Sequence, residues 1–165
     1  MSDLLVPLLK LPPLEPYIEP LRARGITVRT ARAYEKSAAR SFVLKHFSPG
    51  WADEAEVAFS RAPIGCYLAT HERKIVGFAA IESTAKAYFG PTGVSPSHRG
   101  LRVGAALLVA ALHGLRERGY VYGIIGSAGP VEFYAKTVHA TVIEGSDPGI
   151  YTDLLASEPS TERSG

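Results

Sequence analysis

The sequence predicts one mixed α/β domain in which helices flank a central twisted mixed sheet. Three observations carry this. Between Ile26 and Leu154, short apolar or alternating runs take turns with helix-period segments. The segment Leu101 to Arg118 is apolar on nearly every face, as a helix buried against a sheet must be. A length of 165 residues, with 46% apolar and 21% charged residues, suits a single domain with its own core.

Taken in order, residues 1–25 carry Pro7, Pro12, Pro13, Pro16 and Pro20. That density disfavours one long helix and suggests a Pro/Leu-rich arm packed on the domain, with a short helix ending at Gly25. Ile26–Arg29 alternates as a strand, and Thr30 can cap a helix running through Ala33, Ala38 and Phe42 toward His46. Ala52–Arg61 fits a second helix between the turn signals Pro49-Gly50 and Pro63. Cys66–Thr70 and Ile75–Ile81 are strands across the polar turn His71-Glu72-Arg73-Lys74. Ala87–Val94 is a further strand, and Gly90-Pro91 inside it marks an edge or a bulge. The long helix from Leu101 ends with Arg116 and Arg118 at its negative pole and Gly119 as cap. Val121–Gly126 is a buried strand, and Pro130 opens a short helix over Val131–Val138. Ala140–Glu144 and Gly149–Leu154 read as a final hairpin, and 156–165 as a small, polar, disordered tail. The chain thus divides into an arm at 1–25, a domain at 26–155 and a tail at 156–165.

Composition excludes several classes. Cys66 is the only cysteine, so an intramolecular disulfide and a Cys-rich zinc site are both ruled out, and a reducing compartment fits. The net charge of +2, from 18 Lys+Arg and 16 Asp+Glu, is too balanced for nucleic-acid binding by bulk charge. No uncharged apolar run reaches the length of a membrane span. Asp3 stands before the first apolar run, where a signal peptide would be basic. The expectation is a cytoplasmic protein with neither nucleic acid nor membrane as partner.

The segment that carries chemistry is Val94-Ser-Pro-Ser-His-Arg-Gly-Leu-Arg-Val-Gly-Ala105. It leaves a strand and enters the apolar helix. Over Arg99, Gly100, Leu101, Arg102, Val103, Gly104 and Ala105 it combines two arginines and two glycines with the free N–H groups and positive dipole of a helix start. That suits a phosphate. Spacing alone also fits a glycine-containing turn with two solvated arginines. It is neither a dinucleotide-binding Gly-x-Gly-x-x-Gly nor a P-loop.

Val94–Leu108 resembles motif A of the GNAT superfamily of acetyl-CoA-dependent N-acetyltransferases, Arg/Gln-x-x-Gly-x-Gly/Ala after a strand and a Val-x-Pro turn. Arg99 takes the first place and Gly104 the last, while Arg102 stands where the first motif glycine is expected. Downstream, Ser127-Ala-Gly-Pro-Val-Glu-Phe-Tyr134-Ala-Lys136 resembles the family's Asn-x-x-Ala-x-x-Phe-Tyr-x-Lys segment, with Ser127 replacing Asn. The element order from Ile26 to Leu154 matches as well. The Pro-rich arm lies outside the match.

The resemblance implies acetyl transfer from acetyl-CoA to a primary amine in a ternary complex, without a metal. The acceptor would be a small amine such as an amino sugar, polyamine, amino acid or aminoglycoside, in preference to a protein. It implies that backbone groups of Gly93 and Val94 hold pantetheine where two strands splay, with Gly90-Pro91 either opening that gap or only bending the sheet. Tyr134 would be the general acid for the departing thiolate; without the resemblance it reads as a half-buried tyrosine. Glu82, at the end of an apolar strand, is a base candidate or a solvated strand-end carboxylate. Asp53 and Glu54 are weaker candidates, since acids are favoured in a helix's first turn anyway. Cys66 reads as core, His98 as surface and His113 as a satisfied helix residue. Trp51, Tyr88 and Phe89 line an acceptor pocket or pack the core. A non-catalytic acyl-CoA sensor is the alternative, and a homodimer stays open.

Overall fold

The protein, seen in a computed structural model, is described over residues 1–156, so the expected tail lies outside the described residues apart from Ala156. In chain order the elements are β1 (Leu4–Pro7), α1 (Glu15–Arg22), β2 (Ile26–Thr30), α2 (Lys36–His46), α3 (Pro49–Val57), β3 (Cys66–His71) and β4 (Lys74–Ile81). There follow β5 (Tyr88–Val94), α4 (Val103–Glu117), β6 (Tyr122–Ile125), α5 (Val131–Val138) and β7 (Thr141–Val142). One seven-stranded sheet runs in the order β2-β3-β4-β5-β6-β1-β7. Every pairing is antiparallel except β5 with β6, whose crossover is α4.

Two cores lie on the two faces of the sheet. Leu107, Leu108, Leu112 and Leu115 of α4 pack with Ile18 and Leu21 of α1 on one face. Phe42 and Val43 of α2 and Ala52 and Ala55 of α3 pack on the other. Along β4, Ala79 and Ile81 face α4 while Phe78 and Ala80 face α2 and α3. Burial on both sides explains why the β4 sequence is an unbroken apolar run instead of an alternating one.

Several boundaries differ from the sequence expectation for local reasons. Thr30 ends β2 instead of capping a helix. The helix start after it is a 3-10 turn closed by Glu35, whose carboxylate accepts from the Arg32 N–H at 2.8 Å. α3 begins at Pro49, not Ala52, because Ser48 supplies the cap: its Oγ accepts from the Trp51 N–H at 3.2 Å.

Residues 1–25 do more than cover the domain. β1 inserts between β6 and β7, with Leu4 opposite Ile125 on one side and Val142 on the other. The expected final hairpin does not form. Thr141–Val142 pairs with β1, and Gly149–Leu154 forms no strand. β1 pairs with one edge of β7, which ends the sheet.

Candidate active site

The turn into α4 is built by backbone conformation. Gly100 sits at φ +82°, a region closed to most side chains, and Arg102 takes φ +65° although it is not glycine. The place where the resemblance asks for glycine therefore does require a left-handed residue, and arginine meets it at a cost of about 1–2 kcal/mol. The first intrahelical bond runs from the Ala106 N–H to the Arg102 carbonyl. Helix geometry then leaves the N–H groups of Val103, Gly104 and Ala105 pointing out of the helix start. A cavity of about 360 Å³ lies before them, walled by Val94, Arg99 and Phe133 among others. A Cβ on Gly104 would touch only Val94, at 3.7 Å, so glycine there leaves open space instead of relieving a clash. Val103 is buried and Leu101 partly so; both anchor the turn through their side chains. The Arg102 guanidinium lies over the Tyr17 ring of α1, 5.4 Å from its centroid.

Beside this turn the sheet opens. β5 and β6 pair only at Tyr88–Ile124 and Phe89–Ile125. β6 then ends, while β5 runs on along β4 to the pair Gly77–Val94. Between Phe89 and Thr92 the β5 strand takes three steps against two on β4, from Ile81 to Ala79. The extra residue is a bulge at Gly90-Pro91. Pro91 has no N–H to offer, which suits a strand edge without a partner. The Ser95 N–H bonds the Val76 carbonyl, so by antiparallel alternation Gly93 turns its backbone groups to β4. Thr92 and Val94 turn theirs to the open edge. Gly93 itself is glycine for packing: a Cβ there would lie 2.2 Å from the Phe47 ring. The gap-facing role expected of Gly93 and Val94 thus falls to Thr92 and Val94, a shift of one residue that only strand register decides.

The gap is a cleft with two lobes sharing a wall of Trp51, Phe89–Pro91 and Gly126-Ser127. The first lobe, about 300 Å³, is lined by Tyr134. Burial pushes the Tyr134 phenol above its usual value, which favours the protonated form. Its hydroxyl makes no hydrogen bond among the described residues, although the side chain is only 9% exposed. The second lobe, about 340 Å³, is lined by Glu54, Thr84 and Tyr151. Thr84 Oγ1 donates to Glu54 Oε1 at 2.6 Å.

Ser127 holds the bend between the lobes at φ +45°. Its N–H donates to Oδ1 of Asp3 at 2.8 Å, and the Tyr88 hydroxyl donates to Oδ2 at 3.3 Å. Asp3 is buried and was not legible as a site residue: it stands 124 positions from Ser127, in a segment whose composition signals only an arm.

Glu82 does not line the cleft lobes. It is buried, accepts from Arg118 Nη1 at 2.5 Å and also from the Tyr120 hydroxyl. Burial pushes its carboxyl up, but the Tyr120 and Arg118 hydrogen bonds outweigh that and leave it below the usual range. A carboxylate with both oxygens occupied and a lowered pKa is a poor base, so the base role expected for Glu82 gives way to a structural ion pair. Asp53 is likewise engaged, by Arg40 at 3.3 Å. Burial, then the Glu35 charge, pushes the Cys66 thiol up to about 12, so it is no nucleophile at neutral pH. His113 meets the Pro12 carbonyl at 2.8 Å. His98 is not simply surface: its Nε2 lies 2.9 Å from Nδ1 of His71.

A family model described as the acetyltransferase (GNAT) family matches residues 30–137. No curated protein matches the chain. Among solved structures, the fold resembles a GCN5-related glucosamine N-acetyltransferase region of a fungal multi-domain GH3 β-N-acetylglucosaminidase, with TM-score 0.70, 13% identity and coverage of 86% of this chain and 19% of that one. It also resembles a GCN5-related N-acetyltransferase from Sphaerobacter thermophilus, with TM-score 0.62, 22% identity and coverage of 86% and 48%. A GNAT family acetyltransferase from Brucella melitensis, solved in complex with acetyl-CoA, gives TM-score 0.54, 18% identity and coverage of 72% and 86%. The chain therefore spans under half the length of the first two. Because the matched segment takes in the open β5 edge, the turn into α4 and Tyr134, this protein belongs to the GNAT family of acetyltransferases.

Proposed function

We propose that the protein moves the acetyl group of acetyl-CoA to a primary amine by direct attack in a ternary complex. The observation that carries this is the one-sided opening of the sheet. β5 loses β6 after Phe89, and the opening has the α4 N–H groups at one end and Tyr134 in its wall. In this reading Arg99, Arg102 and the N–H groups of Val103, Gly104 and Ala105 receive the pyrophosphate. Thr92 and Val94 bond pantetheine as a missing strand would. Leu101 and Gly100 shape the turn, and Ser127 orients the far wall.

The amine must lose a proton before it attacks, since alkylamines are mostly protonated near neutral pH. Its lone pair then forms the C–N bond and the C–S bond breaks. The Tyr134 phenol gives its proton to the thiolate and is reprotonated from solvent, and the amine's proton leaves to solvent. The donors along the β5 edge stabilise the carbonyl oxygen as it gains charge.

The test is thiol release from acetyl-CoA with a panel of amines, beside melting with CoA. At one hundred times its dissociation constant, acetyl-CoA should stabilise the fold by about 2.7 kcal/mol. Stabilisation with no thiol released by any amine would replace this reading with a non-catalytic acyl-CoA sensor.

A further inference from the structure

The three acids of α3 differ in their partners. Asp53 meets Arg40 at 3.3 Å, and Glu56 meets Lys36 at 3.2 Å and Arg40 at 3.1 Å. Glu54 meets no cation among the described residues. It is only partly exposed, and among the described residues its one hydrogen-bond partner is the neutral Thr84 hydroxyl. It also faces the second lobe of the cleft. Trp51, three residues earlier on the same helical face, lines that lobe too and is 39% exposed. A carboxylate beside an open indole is a receptor for an ammonium group, through a charge-assisted hydrogen bond and the ring face.

Position within the cleft narrows the ligand. Glu54 lines the lobe that Tyr134 does not, and Tyr134 the lobe that Glu54 does not. A cation held at Glu54 is therefore set apart from the phenol that marks the reacting end. Tyr151, on the Glu54 side, has its phenol pushed up by burial and then by the Glu54 and Asp3 carboxylates, and the Met1 ammonium that also lines this lobe is held by Asp147 at 3.0 Å. Asp3 is already committed to Ser127 and Tyr88. A carboxylate-bearing acceptor would be repelled at Glu54, and a neutral tail would leave its charge unmatched.

Building on the transfer reading above, we propose that the acceptor is an alkyl diamine or polyamine, one amine reacting beside Tyr134 while a second ammonium rests on Glu54 against Trp51. The step is the one already balanced above. Glu54 binds and orients the acceptor and exchanges no proton.

The test uses the full chain, with 1,4-diaminobutane and n-butylamine as probes. Glu54→Gln removes the charge but keeps an oxygen to accept from Thr84, so the fold and CoA affinity should hold. Wild type should turn over the diamine with a kcat/KM at least about tenfold above butylamine. Glu54→Gln should raise KM for the diamine about tenfold, leave kcat within about twofold, and leave butylamine untouched. Calorimetry of the diamine into the CoA complex should give the same tenfold loss of affinity. If Glu54→Gln treats both amines as wild type does while thiol is released, the ammonium site falls and the transfer reading stands. If the diamine binds in a Glu54-dependent way but no amine releases thiol, the transfer reading falls and the ammonium site stands. A diamine that does not bind wild type at all overturns the proposal.

Discussion

Two side chains carry the proposed roles toward acetyl-CoA: Tyr134 in the cleft wall and Arg102 at the turn into α4. Tyr134→Phe removes one oxygen from a buried ring, so CoA affinity and melting should stay near wild type. Turnover should fall by roughly 10²–10⁴, the usual effect of losing a placed general acid. The loss should fall on kcat, because the bond to the thiolate forms as it departs. Since burial raises this phenol, its ionisation should cut the rate only above about pH 10, and the Phe variant should lack that limb. Arg102 is a different case. Arg102→Gly relieves a left-handed arginine, a gain of about 1–2 kcal/mol. It also loses an exposed cation–π contact with Tyr17, which is worth about 0.5–1 kcal/mol. Melting should therefore hold or rise slightly while calorimetry shows weaker CoA binding. Unchanged CoA affinity would mean that the arginine only fills the turn.

At the scale of an element, the glycines of β5 and α4 answer to opposite demands. Gly93 admits the Phe47 ring, which is locked among Phe42, Trp51 and Phe78 at centroid distances of 6.2, 5.4 and 5.7 Å. A methyl group there has nowhere to go. Gly93→Ala should cost about 1–3 kcal/mol by denaturant unfolding, as overpacked cores do. Gly104 in α4 faces open space. Gly104→Ala should leave stability level or raise it by about 0.5 kcal/mol, while Gly104→Glu, which sets bulk and negative charge before the free N–H groups, should weaken CoA in titration. The reverse pattern, with a tolerant Gly93 and a destabilising Gly104, would mean that the strand and the helix start are packed differently.

The whole molecule is tied by two ion pairs on different sides of the sheet. Arg118, at the end of α4, holds Glu82 just past β4 and the Pro63 carbonyl. Removing it leaves a buried carboxylate with only the Tyr120 hydroxyl donating to it, so Arg118→Met should cost about 3 kcal/mol in unfolding experiments. Arg29 holds Glu35 at 2.6 Å where β2 meets the start of α2. That hydrogen bond, against an opposing burial penalty, lowers the Glu35 carboxyl to about 2. A folded pKa below the unfolded value of about 4.3 gives stability that is complete above the unfolded pKa and lost as pH falls toward 2. The melting temperature should therefore drop across that window, and less steeply in Glu35→Gln. An identical slope in the variant would assign the acid sensitivity to other carboxylates.

What the sequence determined by itself is what short stretches of chain decide. The start of α4 is written in neighbouring residues: a strand end, a glycine, two arginines and an unbroken apolar helix. Helix starts are set by backbone groups within one turn of each other, so the N–H cradle could be read directly. Tyr134 came from a short motif, and the bulge from a proline that cannot donate. The tertiary structure decided whatever depends on partners far apart in sequence. A Pro/Leu-rich stretch becomes a sheet strand because the edges of β6 and β7 receive it, and no local pattern reports an open edge elsewhere. Gly93 and Thr92 exchange roles because strand register fixes which backbone groups face the gap, and a shift of one residue reverses it. The carboxylates show the same limit. Glu82 and Glu54 both read as base candidates in the sequence, but among the described residues Arg118 and Tyr120 close on the first and only Thr84 on the second. Charge and hydrogen bonding act through space, so the fold alone determines which acid is spent on structure and which is left facing the cleft.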